Sequence, residues 1–81
     1  MKQINGRYIM TSNKNGEITS ERFDTLEQAQ GVMKAEFEKF GVAEDAAGVV
    51  VYDDYIHIMT EKGENIVWMI DDAVMLGYAA A

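Results

Sequence analysis

Six of the fourteen acidic residues in this 81-residue chain come as doublets: Glu44-Asp45, Asp53-Asp54 and Asp71-Asp72. Carboxylates are hard oxygen donors, and several brought together can hold Ca²⁺ or Mg²⁺. A fixed patch of them can instead meet a basic protein surface in place of a phosphate backbone. Position sharpens both readings. Residues 1–41 carry six acids and six bases, whereas residues 42–81 carry eight acids and the single base Lys62, and so hold the whole net charge of −7. No Asp-rich loop of EF-hand spacing is present. The plain alternative is that Asp favours turns and strand ends, where water solvates it.

Other reactive side chains are few. His57 is the single histidine and there is no cysteine. A thiolate nucleophile, a multi-His metal site and a disulfide are therefore excluded. Ser12 and Ser20 lie outside any nucleophile motif, and no loop has the glycines and following helix that cradle a phosphate. A lone His among apolar strand neighbours is usually a packing or interface residue. No catalytic residue, metal set or cofactor is expected, and an enzyme is the weakest class. The acidic balance also argues against direct binding to nucleic acid.

The elements that must position these groups follow from periodicity and turn chemistry. Residues 3–12 and 17–23 read as a first hairpin around Asn13-Lys14-Asn15-Gly16. A two-residue Asn15-Gly16 turn would suit it. A longer type I turn with Gly16 left-handed places Tyr8, Met10 and Ile18 on one face, and is preferred for that reason. Thr11, Thr19, Glu21 and Arg22 then form an exposed sheet face.

Residues 26–40 read as a helix. Thr25 is its N-cap with Gln28 in the capping-box position. Leu26, Ala29, Met33, Phe37 and Phe40 form one apolar stripe with Val32 beside it. Gly41 ends the helix in the left-handed region, with Val42 as the contact beyond and Lys39 in the last turn. Glu27, Glu36 and Glu38, with Lys34 and Lys39 among them, read as a solvated helix face. Mid-helix Gly31 costs about 1 kcal/mol relative to Ala, which close approach of another element would explain.

Residues 49–52 read as a strand, Asp53-Asp54 as a tight turn or bulge, and residues 55–60 and 65–70 as a second hairpin around Glu61-Lys62-Gly63. With Gly63 left-handed, Thr60 pairs with Glu64, Ile58 with Ile66 and Ile56 with Trp68. Ile56, Ile58, Ile66, Trp68 and Ile70 then share a core face. In the same register Asp53 falls opposite Asp71, Asp54 pairs with Ile70 and Asp72 lies just beyond, gathering four carboxylates at one sheet end. Like charges so close call for compensation. The other face carries Tyr55, His57, Met59, Val67 and Met69, where a solvated sheet face would be polar. It is covered by the C-terminal segment with Val74, Met75, Leu76 and Tyr78, or by another chain. Residues 73–81 read as a short helix capped by Asp72 or as a frayed tail.

The resulting expectation is one α+β domain spanning residues 1–81, in ββαβββ order, its antiparallel sheet packed on one amphipathic helix. Residues 1–10 hold no long apolar run and no stretch approaches the ~20 apolar residues of a membrane span. A soluble, cytoplasmic protein without a signal peptide is expected.

The stretch Phe23-Asp24-Thr25-Leu26-Glu27-Gln28-Ala29, its helix, and Asn65-Ile66-Val67-Trp68-Met69-Ile70 resemble a pattern in small uncharacterised proteins of gut bacteria and their phages. In size and charge the chain also resembles small acidic phage inhibitors of host nucleases, of the anti-CRISPR and anti-restriction type. That resemblance implies an inhibitor, and no functional residue is carried over from it. The expected role is a non-enzymatic protein-interaction domain. In its sharper form Asp53, Asp54, Asp71 and Asp72 mimic phosphates toward a basic nucleic-acid-binding protein. The alternatives are a homodimeric structural or regulatory module joined through Tyr55, His57, Met59, Val67 and Met69, and a Ca²⁺- or Mg²⁺-binding domain.

Overall fold

Alternating apolar residues bounded by Asn-Gly, Asp-Asp and Lys-Gly turns build strands, and a single capped stripe builds the helix. In the computed structural model, which describes residues 6–74, the order is β1 (Tyr8–Lys14), β2 (Glu17–Phe23), α1 (Leu26–Glu38), β3 (Val49–Tyr52), β4 (Tyr55–Met59) and β5 (Asn65–Asp72). This is the expected ββαβββ, α+β arrangement. The strands form one antiparallel sheet in the spatial order β2-β1-β5-β4-β3. β1 is thus paired on both edges, and its ladder with β5 joins the two hairpins. No helix among the described residues is long and apolar enough to cross a membrane.

The helix begins as its sequence dictates. Thr25 Oγ1 accepts from the Gln28 amide, and Gln28 Oε1 accepts in return from the amides of Thr25 and Asp24. Ala29, Met33 and Phe37 point down onto the sheet and are buried. There they meet Met10, Ile56, Ile58, Ile66, Trp68 and Ile70, all in one core. Trp68 is its largest fully buried side chain.

The helix stops at Glu38, two residues before the expected end. Lys39 is its C-cap, and the amides of Lys39, Phe40 and Gly41 each bond three residues back instead of four. This tightening takes Phe40 off the stripe. It lies 39% exposed and meets the Trp68 ring edge-on, with centroids 5.5 Å apart. Nothing approaches Gly31, where an added Cβ would meet no atom within 4 Å, so the expected close contact is absent. The helical cost of glycine is uncompensated there. Gly31→Ala should raise stability by about 1 kcal/mol, read as a higher urea midpoint at unchanged slope. A lower midpoint would contradict the open surroundings of this position.

The first hairpin differs from expectation in both turn and register. Lys14 pairs with Glu17, leaving only Asn15-Gly16 as the loop. Both take positive φ, 56° and 96°, as a primed two-residue turn requires. Asn15 is held by its surroundings as well: its amide donates to the Asn65 carbonyl at 2.9 Å, and its Oδ1 accepts from the Asn65 amide at 2.8 Å. As a result Ile18 pairs with Asn13 and turns away from Met10, standing 66% exposed on the face opposite the helix. Thr11 and Arg22 share that face, whereas Thr19 and Glu21 point to the helix side. Among the described residues β1 runs from Tyr8 and continues two residues beyond residue 12, because β5 offers partners along its whole length; the expected strand residues 3–5 lie outside the described residues.

The second hairpin keeps its expected register. Ile58 pairs with Ile66 and Ile56 with Trp68, and the Thr60 amide donates to the Glu64 carbonyl. β4 ends at Met59, one residue early, and β5 continues to Asp72, two residues late, because Ile9 and Tyr8 pair with Asp71 and Asp72. Asp53-Asp54 is a tight turn between the paired Tyr52 and Tyr55. The alternatives for residues 73–81 fall mostly outside the described residues; Ala73 and Val74 are in a turn.

Candidate functional site

Because side chains alternate along a strand, the registers divide the sheet into two faces. One packs on the helix. The other is laid out in rows that cross all five strands. One row runs Ile18, Asn13, Val67, His57, Val50, and the next Ser20, Thr11, Met69, Tyr55, Tyr52. The helix covers none of it. Among the described residues six large hydrophobic side chains are exposed, and five of them belong to this open face: Ile18, Val50, Tyr52, Met59 and Met69. Tyr55, His57 and Val67 lie half-buried between them. The five residues expected on the face from the second hairpin are therefore together. β1, β2 and β3 add Ile9, Ile18, Val50 and Tyr52, which sequence reasoning had not placed there. The alternation in Val49–Tyr52 was the available signal for the last two. For Ile18, the Asn15-Gly16 pair was.

His57 sits in the middle of this face. Its Nε2–H donates to Asn65 Oδ1, and its ring meets Tyr55 edge-on with centroids 6.2 Å apart. Across the sheet it pairs with Val50 and Val67. This is a hydrogen-bonded packing environment, with no hydroxyl nucleophile in the His57 row. Tyr52 and Tyr55 stack obliquely at 6.3 Å and extend an aromatic strip toward the sheet edge.

The four aspartates at the end of the sheet have a different fate from a shared cluster. Arg7 Nε and Nη2 donate to the two carboxylate oxygens of Asp72, each at 2.9 Å. The Asp72 carboxylate beside it raises the pKa of Arg7. Asp72 Oδ1 also accepts from the Val74 amide. Asp72 thus points to the helix side and is compensated by a base from the chain's neutral half. Asp71 pairs with Ile9 on the open face, in the same row as Arg22. Asp53 and Asp54 stay in the β3–β4 turn. They are engaged through their carbonyls, which accept from Gln30 Nε2 and the Ile70 amide respectively. Among the described residues no three His, Cys, Asp or Glu side chains form a group that could hold a metal ion.

Glu36, expected on a solvated helix face, does something else. Its Oε1 accepts from Trp68 Nε1 at 3.3 Å and from Lys14 Nζ at 3.4 Å. It thereby satisfies the indole N–H of the core and ties the helix to β1. A concavity of about 690 Å³ lies where Gly6, Arg22, Asp24, Gln28 and Gly31 meet. Its polar groups are turned on one another: Arg22 Nε donates to the Gly6 carbonyl, and the Gly6 amide donates to Asp24 Oδ1, both at 2.8 Å. No family model matches the chain, and neither a curated protein nor a solved structure shows significant similarity to it.

Proposed function

We propose that this chain is a non-enzymatic protein-interaction domain whose contact surface is the open face of its sheet. The carrying observation is the concentration of exposed large hydrophobic residues on that one face. A monomer ordinarily scatters such residues over its surface, and a contiguous patch marks an interaction site. The flat presentation of Tyr52, Tyr55, Met59 and Met69 supplies the aromatic and Met content that interface cores favour.

The charge-mimic form of this reading moves the contact to the Asp53-Asp54 turn and toward a basic partner. What supports it is the acidity of residues 42–81. Against it stand Arg7, already bound to Asp72, and Arg22 in the Asp71 row. The cation-binding form draws no support from the geometry.

A photo-crosslinking residue in place of Met69, expressed in cells that make the chain, tests the proposal. Position 69 should give a discrete covalent adduct, and the same residue in place of Glu38, exposed on the helix, should give none. Absence of any adduct from position 69 would reject the open face as an interaction surface.

A further inference from the structure

We infer that the partner of the open face is a second copy of this chain, packed face to face as a two-sheet sandwich. This rests on the open-face reading above and names its occupant. The first support is charge. In a chain of net charge −7, the fifteen strand residues on this face include only two charged ones, Arg22 and Asp71, of opposite sign. The excess acid lies on the turns, the helix and the helix side of the sheet. A basic partner would gain nothing from this face. A neutral, apolar surface of identical kind would, because face-to-face packing keeps both sets of acids on the outside.

The second support is self-complementarity. A two-fold interface brings each patch against itself in reverse. Take the axis across the strands, between the Val67 row and the Met69 row. Val67 then lies over the partner's Met69, His57 over the partner's Tyr55, and Val50 over the partner's Tyr52. On β1 Asn13 lies over the partner's Thr11, polar on polar, and on β2 Ile18 lies over the partner's Ser20. Asp71 falls over the partner's Asn65, an amide able to donate to it, and no like charges oppose. Sheets so aligned pack about 10 Å apart with a residual twist near −30°.

The area sets the strength. Five strands about 4.8 Å apart and five residues of about 3.4 Å each make a patch of roughly 400 Å² in projection. That is below the ~800 Å² per partner of a standard stable interface. A small interface of this kind makes the dimer reversible and concentration-dependent. Because each copy carries the same net charge, salt should strengthen association by screening repulsion. A charge mimic bound to a basic partner would show the opposite sign.

Sedimentation velocity on the purified full chain, over a dilution series at low and high salt, is the test. The expected result is a reversible dimer whose dissociation constant falls several-fold as salt rises. Met69→Glu should weaken it at least about tenfold, since it puts an unpaired carboxylate at the interface centre, while Glu38→Gln leaves it intact. Met69 is already 41% exposed, so the variant should keep its far-UV spectrum, which is checked alongside. A chain monomeric at every concentration and salt overturns the assignment, as does a dimer indifferent to both Met69→Glu and Tyr52→Lys. The position-69 crosslink separates the two levels. An adduct of twice the chain mass supports the second copy. A foreign adduct, or a link within the chain to residues 75–81, overturns it, and the foreign adduct leaves the open-face reading standing. No adduct at all removes both.

Discussion

Trp68→Ala should leave the chain at or beyond the edge of unfolding. Trp68 has no exposed surface and lies at the centre of the core, between the Met10 strand and the Ile56 strand, beneath the helix. Truncating a buried Trp costs about 3–5 kcal/mol, from lost transfer energy and the cavity left behind. A domain of this length has only about 4–12 kcal/mol in total. The same change abandons the Phe40 ring contact, and Glu36 loses the indole N–H it accepts from. The measurement is a urea titration followed by far-UV circular dichroism, which does not need the missing fluorophore. The midpoint should collapse toward zero denaturant. Trp68→Phe, which keeps most of the packing, should lose less than half as much. A Trp68→Ala midpoint near that of the parent would mean that the helix and sheet are not packed through this residue.

Gly48→Ala should be the next most damaging single change, although it alters a small exposed residue. Gly48 has φ of +81°, and an added Cβ would collide with the Met59 carbonyl oxygen, a backbone atom that cannot swing aside. The left-handed conformation alone costs a non-glycine residue about 1–2 kcal/mol. Relieving the collision adds to that by disturbing the bond from the Met59 amide to the Gly48 carbonyl, 2.8 Å long, which anchors the start of β3 on β4. A total near 3 kcal/mol is expected, within the range of backbone-strain substitutions. Exchange of the β3 amides should also quicken relative to β1, since the damage falls on an edge strand with one neighbour. Equal protection of β3 and β1 in the variant would sink this account. Through Val50 and Tyr52 the same substitution should weaken the open-face contact.

These two sites differ in how visible they were beforehand. Trp68 was placed in the core by the alternation of Ile56, Ile58, Ile66, Trp68 and Ile70, once Gly63 had fixed the hairpin register. Alternation with a defined turn residue determines which face each side chain takes, and all five are buried. The first hairpin misled for a specific reason. The apolar residues Tyr8, Met10 and Ile18 favoured a loop that kept them together, but Ile18 is not a core residue. The hydrogen bonds that hold the turn at Asn15 come from Asn65, fifty positions away. No local pattern can show that. The extra residues of β5 and the pairing of Glu36 with Trp68 have the same origin, since each needs a partner brought by the β1–β5 ladder. The apolar character of the open face was readable in the second hairpin, and its extension across all five strands was not. The register of the second hairpin alone gathers Asp53, Asp54, Asp71 and Asp72, because Arg7, the base that pairs with Asp72, lies in a part of the chain with no sequence link to it.

The β1–β5 ladder has a kinetic consequence. Three of the four strand pairings are closed by loops of a few residues and can form early and independently. The fourth pairs Tyr8 with Asp72 and Lys14 with Ile66. It must bring together segments some fifty to sixty-four residues apart, so most of the loop-closure entropy of the fold is concentrated in it. Low-order contacts form fast and such non-local ones form late. The chain therefore passes through a preformed β1–β2 hairpin and a three-stranded β3–β4–β5 meander, each bearing part of the apolar face, before the sheet is whole. Substitutions within the early β1–β2 turn therefore bear on the rate of folding, while those along this late-forming seam, at Met10 or Ile70, bear on the lifetime of the folded state.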